Sequence, residues 1–482
     1  MITLGILGAI TAISLLLSIT RWTVPTLALY FIWLAFEDAI RKELANNILI
    51  YACKWILLGA ITIQLLKNRN HIKVPKALTI AIIVWGAYIL VDSFNPNLPH
   101  PVMGFLGFHG DLMYFVLLFA ANAILRDRKR IRTFWIIALT PSLAALGVAL
   151  YQHMVDPYFL NREAIATAEL WRAVYFRPIP GIAGKSMLMA PSLFADPGRY
   201  ARYALFTFWT ALSLAPLLGW KWTLVFIGAG GGGMMLAGPR FAPVITGVAL
   251  TLIMVSLVIT SLLMRASREY SKIVLKFVMG GIIGIGIAIF IMYLSTPQVL
   301  NRSYVWFTST LIGTEGEPSE IKRRFPGYWR SFRVILEQGL FGEGSGSQSL
   351  GKQYLKRYFR ISVEMKGEQG YAVYTIQYGL LGFTIRMILF LIMFKVLWDA
   401  QALCRRGEDK WVVRSWFYFF GSYFVIGQFL GAPHLQDYLA QSFLWTMTGV
   451  NLMLPEVENI ETQEDLEIYE AGTGLYSMSR PT

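Results

Sequence analysis

The stretch FAPVITGVALTLIMVSLVITSLLM, residues 241–264, contains no charged side chain from its first residue to its last. A helix needs about 20 consecutive apolar residues to cross the hydrocarbon core of a bilayer. The stretch therefore predicts a transmembrane helix, and a chain that contains it is expected to fold in a membrane.

Apolar runs of this kind recur along the whole chain of 482 residues. They lie near residues 2–20, 23–40, 47–66, 77–92, 103–125, 133–152, 200–219, 222–237, 241–264, 274–294, 371–397, 413–430 and 437–454. Hydrophobic residues make up 55% of the chain and charged residues only 15%, whereas a soluble domain carries about 25% charged residues. We therefore predict an all-α fold: a polytopic membrane helix bundle with about 12–13 transmembrane helices.

The beginning of the chain predicts a membrane helix that is retained. Its first run lacks a basic n-region and a small-residue cleavage site, so it does not resemble a removed signal peptide. Only Arg21 and Trp22 separate this run from the second one. The two runs form either a tight hairpin or one broken helix.

The distribution of Lys and Arg predicts the orientation, because short cytoplasmic connections are enriched in both residues. Connections 67–76, 126–132, 265–276 and 395–414 are rich in them, whereas connections 94–108 and 431–436 have none. We expect the first group in the cytoplasm and the second outside, which places an acidic tail, residues 455–482, in the cytoplasm. The net charge of +14 then predicts contact with anionic membrane lipids rather than with nucleic acid.

Residues 1–454 form one predicted membrane domain, which includes two long outward connections near residues 155–200 and 295–370. Both are basic, although insertion does not require this, since long loops translocate largely regardless of charge. Residues 319–339 and 350–361 of the second connection show helical periodicity with mixed basic and aromatic side chains. They predict amphipathic helices at the membrane surface, which act either as anchors or as a roof over a substrate.

Arginines near the predicted outer surface are the main candidate ligands for an anionic substrate. Arg240 follows Gly238 and Pro239, which make a tight turn between two runs. The others on the outer connections are Arg177, Arg199, Arg202, Arg323, Arg324, Arg330 and Arg333. A guanidinium group binds two phosphate oxygens in parallel, so the set fits a pyrophosphate-bearing substrate. Lipid-facing anchors and solvated loop charges are the alternative interpretations.

Two further cations, Lys54 and Arg386, lie inside predicted spans, where a charge must usually face a cavity or a partner. Glu37 and Asp38 at the end of the second run are candidate partners. Glu368, before the run at 371–397, is a candidate general base or a solvated carboxylate at a helix start. The five histidines are scattered without ligand spacing, so the sequence does not predict a metal-dependent mechanism. It also has no phosphate-loop signature, so it does not predict an ATP site.

Four stretches resemble the O-antigen ligase and O-antigen polymerase family of bacterial envelope enzymes. They are residues 36–42 (FEDAIRK), 238–240 (GPR), 329–344 from Trp329-Arg330 to GLFGEG, and 370–382 from Gly370-Tyr371 to YGLLG. The likeness in span layout covers most of the chain. One departure is Glu368-Gln369, where many ligases have His-Asn, and this favours a polymerase or another glycan transferase.

The resemblance implies metal-independent glycosyl transfer, without a cofactor, at the outer leaflet of the bacterial inner membrane. The substrate would be a polyprenyl-pyrophosphate-linked glycan, polymerised into a surface polysaccharide. Arg240 and Arg330 would contact the pyrophosphate, Arg323, Arg324, Arg333 and Arg199 would assist, and Glu368 would act as base. Other envelope polysaccharide assembly proteins are further expected partners.

Three alternatives stay open. A ligase would move the finished glycan to a lipid or protein acceptor. A transporter or flippase would carry a lipid-linked sugar or a small anion, and it would explain the glycine-rich runs and the intramembrane charges. A non-enzymatic scaffold would dock partners through the acidic tail.

Overall fold

A computed structural model describes residues 2–20, 22–44, 49–161, 176–178, 186–238, 241–264, 339–347, 370–427 and 437–473, with the single residues Met279, Gly286 and Phe290. Its helices are α1 (Ile2–Ile19), α2 (Thr23–Glu43), α3 (Leu49–Lys67), α4 (Lys76–Asp92), α5 (Pro101–Leu112), α6 (Phe115–Ile124), α7 (Arg128–Leu139), α8 (Pro141–Met154), α9 (Pro197–Ser213), α10 (Ala215–Leu218), α11 (Trp220–Ala237), α12 (Phe241–Met264), α13 (Gly370–Leu403), α14 (Gly407–Ser422) and α15 (Tyr438–Thr473). A short 3-10 turn (Arg69–His71) follows α3, and a π turn (Tyr423–Gly427) extends α14.

The chain is a helical membrane protein. In the described part, four helical stretches are long and apolar enough to cross a bilayer: Thr23–Glu43, Pro101–Ile124, Arg128–Met154 and Val373–Leu403. Every predicted apolar run except 274–294, which lies almost wholly outside the described residues, coincides with one helix or with two consecutive helices. The two amphipathic helices predicted at 319–339 and 350–361 also lie outside the described residues, apart from Gly339.

One small element departs from the all-α prediction. Strands β1 (Phe176–Pro178) and β2 (Ser186–Leu188) pair antiparallel, with Arg177 opposite Met187. They lie in the outward connection predicted near 155–200. Three residues per strand are too few for hydrophobic periodicity to reveal them.

Local sequence explains where the helices begin and break. Pro141 opens α8 and divides the predicted run 133–152 into two helices, because proline lacks the N–H that the preceding helix would need. Pro197 opens α9, and the Asp196 carboxylate accepts the N–H of Arg199 as an N-cap. Gly238, with φ of 82°, ends α11 in the left-handed conformation that glycine tolerates.

The core contains α9 and α15, with almost every side chain of α9 buried. The glycines of α11 permit close packing, since a Cβ atom at Gly230 would lie 2.7 Å from the Ala204 carbonyl oxygen. The glycine run of α11 therefore forms a packing surface against α9. On α15, the ring of Phe443 contacts the aromatic rings of Phe31 and Phe206 at centroid distances of 5.1 and 5.6 Å.

Apart from Asp111–Arg386, the ion pairs that join different elements of the described part fall into two sets. One set joins the predicted cytoplasmic connections to the tail: Lys73 to Glu456 (3.3 Å), Arg128 to Asp409 (2.5 Å) and Glu461 (3.0 Å), and Arg406 to Glu461 (2.5 Å). The other set, described below, lies where connections predicted as outward meet. Within the described ranges no ion pair joins a predicted cytoplasmic connection to a predicted outward one. We name the two ends of the bundle after the predicted orientation, as the cytoplasmic end and the outer end.

The predicted tail begins inside a helix. Helix α15 continues through Pro455 to Thr473, so the boundary at 454/455 falls within it. The Glu458 carboxylate is 2% exposed and accepts the backbone N–H of Arg405 (2.7 Å) just before α14. Nearby, Cys404 is free and buried, and burial raises the pKa of its thiol to about 12. The first part of the tail therefore holds the cytoplasmic connections together.

Candidate functional site

Of the candidate residues predicted from sequence at the outer surface, the structure describes Arg199 and Arg202, and it places the backbone of Arg177 in β1. The others lie outside the described residues: Arg240, Arg323, Arg324, Arg330, Arg333 and Glu368. The candidate site is therefore built outward from Arg199.

Arg199 lies in the first turn of α9, at the outer end of the bundle. Its Nη1 donates to both carboxylate oxygens of Asp38, at 2.8 and 3.1 Å. Asp38 lies near the end of α2, so the contact joins two helices that are far apart in sequence. The Arg199 side chain is 12% exposed and that of Asp38 is 1% exposed, so this is a nearly buried ion pair.

The Asp38 carboxylate receives hydrogen bonds from several elements. Besides Arg199, the donors are Arg41 Nη1 (2.7 Å), the backbone N–H of Ala195 (3.0 Å) and the hydroxyl of Tyr438 (3.4 Å). These groups come from α2, from the residues before α9 and from the start of α15. Buried charge is tolerated when such donors surround it, so Asp38 fixes the relative positions of three parts of the chain.

Asp437 provides a second carboxylate beside the same helix. It forms an ion pair with Nη1 of Arg202, one helical turn after Arg199, and its Oδ1 lies 3.9 Å from Arg199 Nε. Asp437 precedes α15, and its Oδ1 accepts the N–H of Leu439 (3.1 Å) as in an N-cap. Two arginines on one face of α9 thus meet carboxylates from α2 and from the start of α15.

Lys54 and Glu37 extend this network into the bundle. Lys54 Nζ lies 3.2 Å from Glu37 Oε1, which confirms the sequence-based pairing of Lys54 with the carboxylates at the end of α2. Two cations lie over the Tyr438 ring, with Lys54 Nζ 3.7 Å and Arg199 Cζ 4.8 Å from its centroid. Both are cation–π distances.

We call this network the outer charge cluster. Its members are Glu37, Asp38, Arg41, Lys54, Arg199, Arg202, Asp437 and Tyr438. The Nε–H groups of Arg199 and Arg202 are buried and have no hydrogen-bond acceptor among the described residues. An unsatisfied buried donor costs about 1–3 kcal/mol, so the cluster is suited to accept an anion.

Arg386 belongs to a different buried site, and the sequence-based idea that Glu37 or Asp38 could pair with it is wrong. Its Nη1 lies 2.6 Å from Asp111 Oδ1 on α5. The guanidinium carbon also lies over Tyr374, 4.1 Å from the ring centroid. Asp111 is a charged residue within a predicted span, and this signal could have identified it, since such residues usually have partners.

Sequence reasoning also missed Asp437 and Tyr438. Asp437 was placed at the boundary of the last predicted span, and Tyr438 was counted among its apolar residues. Their contacts depend on how α15 packs against α2 and α9, which is invisible in local periodicity. No group of three or more His, Cys, Asp and Glu side chains in the described part is arranged to hold a metal ion.

Comparisons with known proteins do not place the chain in a family. No family model matches it, and no curated protein sequence matches it.

Proposed function

We propose that this protein transfers glycosyl groups at the outer leaflet of a bacterial inner membrane. In this proposal it polymerises polyprenyl-pyrophosphate-linked oligosaccharide repeat units of a surface polysaccharide. The alternative within the same chemistry is a ligase that moves the glycan to a lipid or protein acceptor. The support comes from the sequence resemblance and from the outer charge cluster.

The observation that carries the proposal is the pair of arginines at the start of α9. Arg199 and Arg202 are held by buried carboxylates, yet the Nε–H of each lacks an acceptor among the described residues. A pyrophosphate presents several anionic oxygens that could accept hydrogen bonds from such donors. Stabilising the departing pyrophosphate is the electrostatic contribution that this transfer requires.

Several parts of the proposal rest on sequence alone. They are the about 12–13 transmembrane helices, the outward position of residues 155–200 and 295–370, and the roles of the residues outside the described ranges. Arg240 and Arg330 would contact the pyrophosphate, with Arg323, Arg324 and Arg333 assisting. Glu368 would accept the proton of the attacking hydroxyl.

The test is the chain-length profile of surface and lipid-linked glycan in the native host without the gene. The strain would be complemented with wild type, Arg199→Lys or Arg240→Ala. Lysine keeps the charge at 199 but removes the planar fork that binds two oxygens. We expect both variants to reach the membrane at wild-type level and to lose the long-chain ladder.

Arg128→Lys is the matched control, because Arg128 is also a partly buried, ion-paired arginine but lies at the cytoplasmic end. We expect it to restore the ladder. Accumulation of single repeat units would identify a polymerase, and long chains retained on the carrier would identify a ligase. A wild-type ladder in the Arg199→Lys strain would refute the role of Arg199, and an unchanged profile in the deletion strain would refute glycan transfer.

A transporter is the second candidate, and one structural observation favours it. Helix α13 is broken at Gly379, and the buried Asp111–Arg386 pair lies near the break. Broken helices with charged residues near the bilayer midplane occur in secondary transporters. Flux of a lipid-linked sugar or a small anion into liposomes, with no change in glycan length, would support this function over transfer.

A further inference from the structure

Helix α13 contains a break that leaves backbone groups without their helical partners. At Gly379 the backbone adopts φ of 60° and ψ of −168°, far from helical values. In a continuous helix the N–H groups of Leu380 and Leu381 would donate to the carbonyls of Ile376 and Gln377. Inside a membrane protein, the freed groups must find other partners.

Residues 339–344, which we call the splice segment, supply those partners. Four hydrogen bonds join it to the break: Glu343 N to Ile376 O (2.8 Å), Gly344 N to Gln377 O (2.9 Å), Leu380 N to Gly339 O (3.3 Å) and Leu381 N to Leu340 O (3.1 Å). Both freed carbonyls and both freed N–H groups are satisfied. The segment therefore substitutes for the two helical hydrogen bonds that the break removes.

Glycines make this contact possible. A Cβ atom at Gly342 would lie 2.4 Å from the backbone nitrogen of Gly379, and one at Gly379 would lie 2.4 Å from the Leu340 oxygen. Both glycines also have positive φ, 65° and 60°. Docking requires two backbones to approach without side chains between them, which only glycine permits at these positions.

Asp111 connects the two halves of the broken helix. Its Oδ2 accepts the hydroxyl of Tyr378, directly before the break, and its Oδ1 accepts Arg386 from the half beyond it. One carboxylate on α5 thus binds one residue on each side of the break at Gly379. The relative position of the two halves depends on this bridge as well as on the splice segment.

We propose that the splice segment is detachable and that α13 exists in two states. In the docked state the segment forms hydrogen bonds with the two carbonyl groups and the two N–H groups that the break leaves without helical partners. In the released state the helix closes its own two hydrogen bonds and becomes continuous through Gly379. The first residues of the segment are the least packed part of it, since Leu340 and Phe341 are 52% and 56% exposed.

Both states satisfy the backbone of α13, as a two-state element requires. Release also gives up the hydrogen bonds to the end of α4 and the connection that follows it, Asn97 Nδ2 to Gly342 O (3.2 Å) and Ser345 N to Asp92 O (3.4 Å), so the docked state is the more stable one. The splice segment belongs to the long connection 295–370, so a displacement of that connection would change the shape of α13. This coupling does not depend on the proposed glycosyl transfer. It would serve a transporter equally well.

The test is amide hydrogen exchange of the full chain in lipid nanodiscs, with wild type compared with Gly342→Ala. The new methyl group prevents docking, so we expect amides of residues 339–347 to exchange at least about tenfold faster. Amides of Leu380 and Leu381 should stay protected, because the continuous helix bonds them. Gly228→Ala on α11 is the matched control, since its Cβ atom would meet nothing within 4 Å.

Loss of protection at Leu380 and Leu381 together with the segment would overturn the proposal, because the break would then be fixed. Unchanged exchange of the segment in Gly342→Ala would overturn it too. If Gly342→Ala does not accumulate, Gly339→Ala replaces it: position 339 has φ of 71° but no atom within 4 Å of a new Cβ. Gly339→Ala strains the docked segment without a clash. The amides of residues 339–347 should again exchange faster, by a few-fold, while those of Leu380 and Leu381 stay protected.

Discussion

Substituting Asp38 by Asn tests whether the outer charge cluster is assembled as described. The change keeps the shape of the side chain and removes its charge. Arg41 and Arg199 then lose their shared carboxylate while both remain nearly buried, with side chains 11% and 12% exposed. An amide N–H₂ group would also replace one of the acceptor oxygens.

The expected loss is large because Asp38 is itself almost fully buried and accepts hydrogen bonds from both arginines. Removing one partner of a buried ion pair costs about 3–5 kcal/mol. Three of the donors, Arg41, Arg199 and the N–H of Ala195, lie within 3.1 Å of the carboxylate. At about 2 °C per kcal/mol, the value for larger domains, the unfolding midpoint should fall by about 5–10 °C.

The assay is retention of the monodisperse peak in size-exclusion chromatography after heating the detergent-solubilised protein. Asp399→Asn is the control, because Asp399 pairs with Lys395 at 2.6 Å but both side chains are more than half exposed. Its midpoint should change by less than about 2 °C, since exposed pairs contribute about 0–1 kcal/mol. A midpoint for Asp38→Asn within 1 °C of wild type would refute the assigned network. Removing the second charge with Arg199→Met should recover part of the loss.

Three further predictions concern orientation, the tail and helix packing. Both native cysteines are buried, so they should react little with a membrane-impermeant maleimide. The reagent should label Phe94→Cys, at an 82% exposed position, in intact cells, and Asn70→Cys only after permeabilisation. The reverse labelling pattern would show that the predicted orientation is inverted. Glu458→Ala should lower stability by about 1–3 kcal/mol, because it removes the buried carboxylate that accepts the backbone N–H of Arg405, and an unchanged thermal midpoint would contradict this contact. Gly449→Ala should reduce the level of folded protein, since its Cβ atom would lie 2.3 Å from the Leu118 oxygen, whereas Gly421→Ala, with 3.7 Å to its nearest neighbour, should accumulate normally.

The helices could be predicted from sequence because hydropathy is a local property. Charge-free runs such as 241–264 needed no knowledge of their neighbours. The break at Gly379 was not predicted, because its backbone groups are satisfied by a segment more than thirty residues upstream. A single run at 371–397 is equally compatible with a continuous helix and with a broken one.

The candidate site was predicted only in part. Lys54 and Glu37 are 17 residues apart on consecutive helices, so their pairing follows from adjacency. Asp437 and Arg202 come together only when the last helix packs against α9, and sequence alone gives no measure of that distance. The same limit explains the error for Arg386, whose partner on α5 is 275 residues away.

The ion pairs of the outer charge cluster form in a fixed order during synthesis, because their members lie far apart in the chain. Glu37, Asp38, Arg41 and Lys54 compensate one another, so the first hairpin of charged helices leaves the translocon electrically neutral. Arg199 arrives 161 residues after Asp38, which is already in place. Tyr438, the neighbour of Asp437, lies a further 239 residues on, which is roughly 10–50 s of synthesis. During that interval Arg202 has no carboxylate from Asp437, so the start of α9 completes its pairing only after α15 has been made.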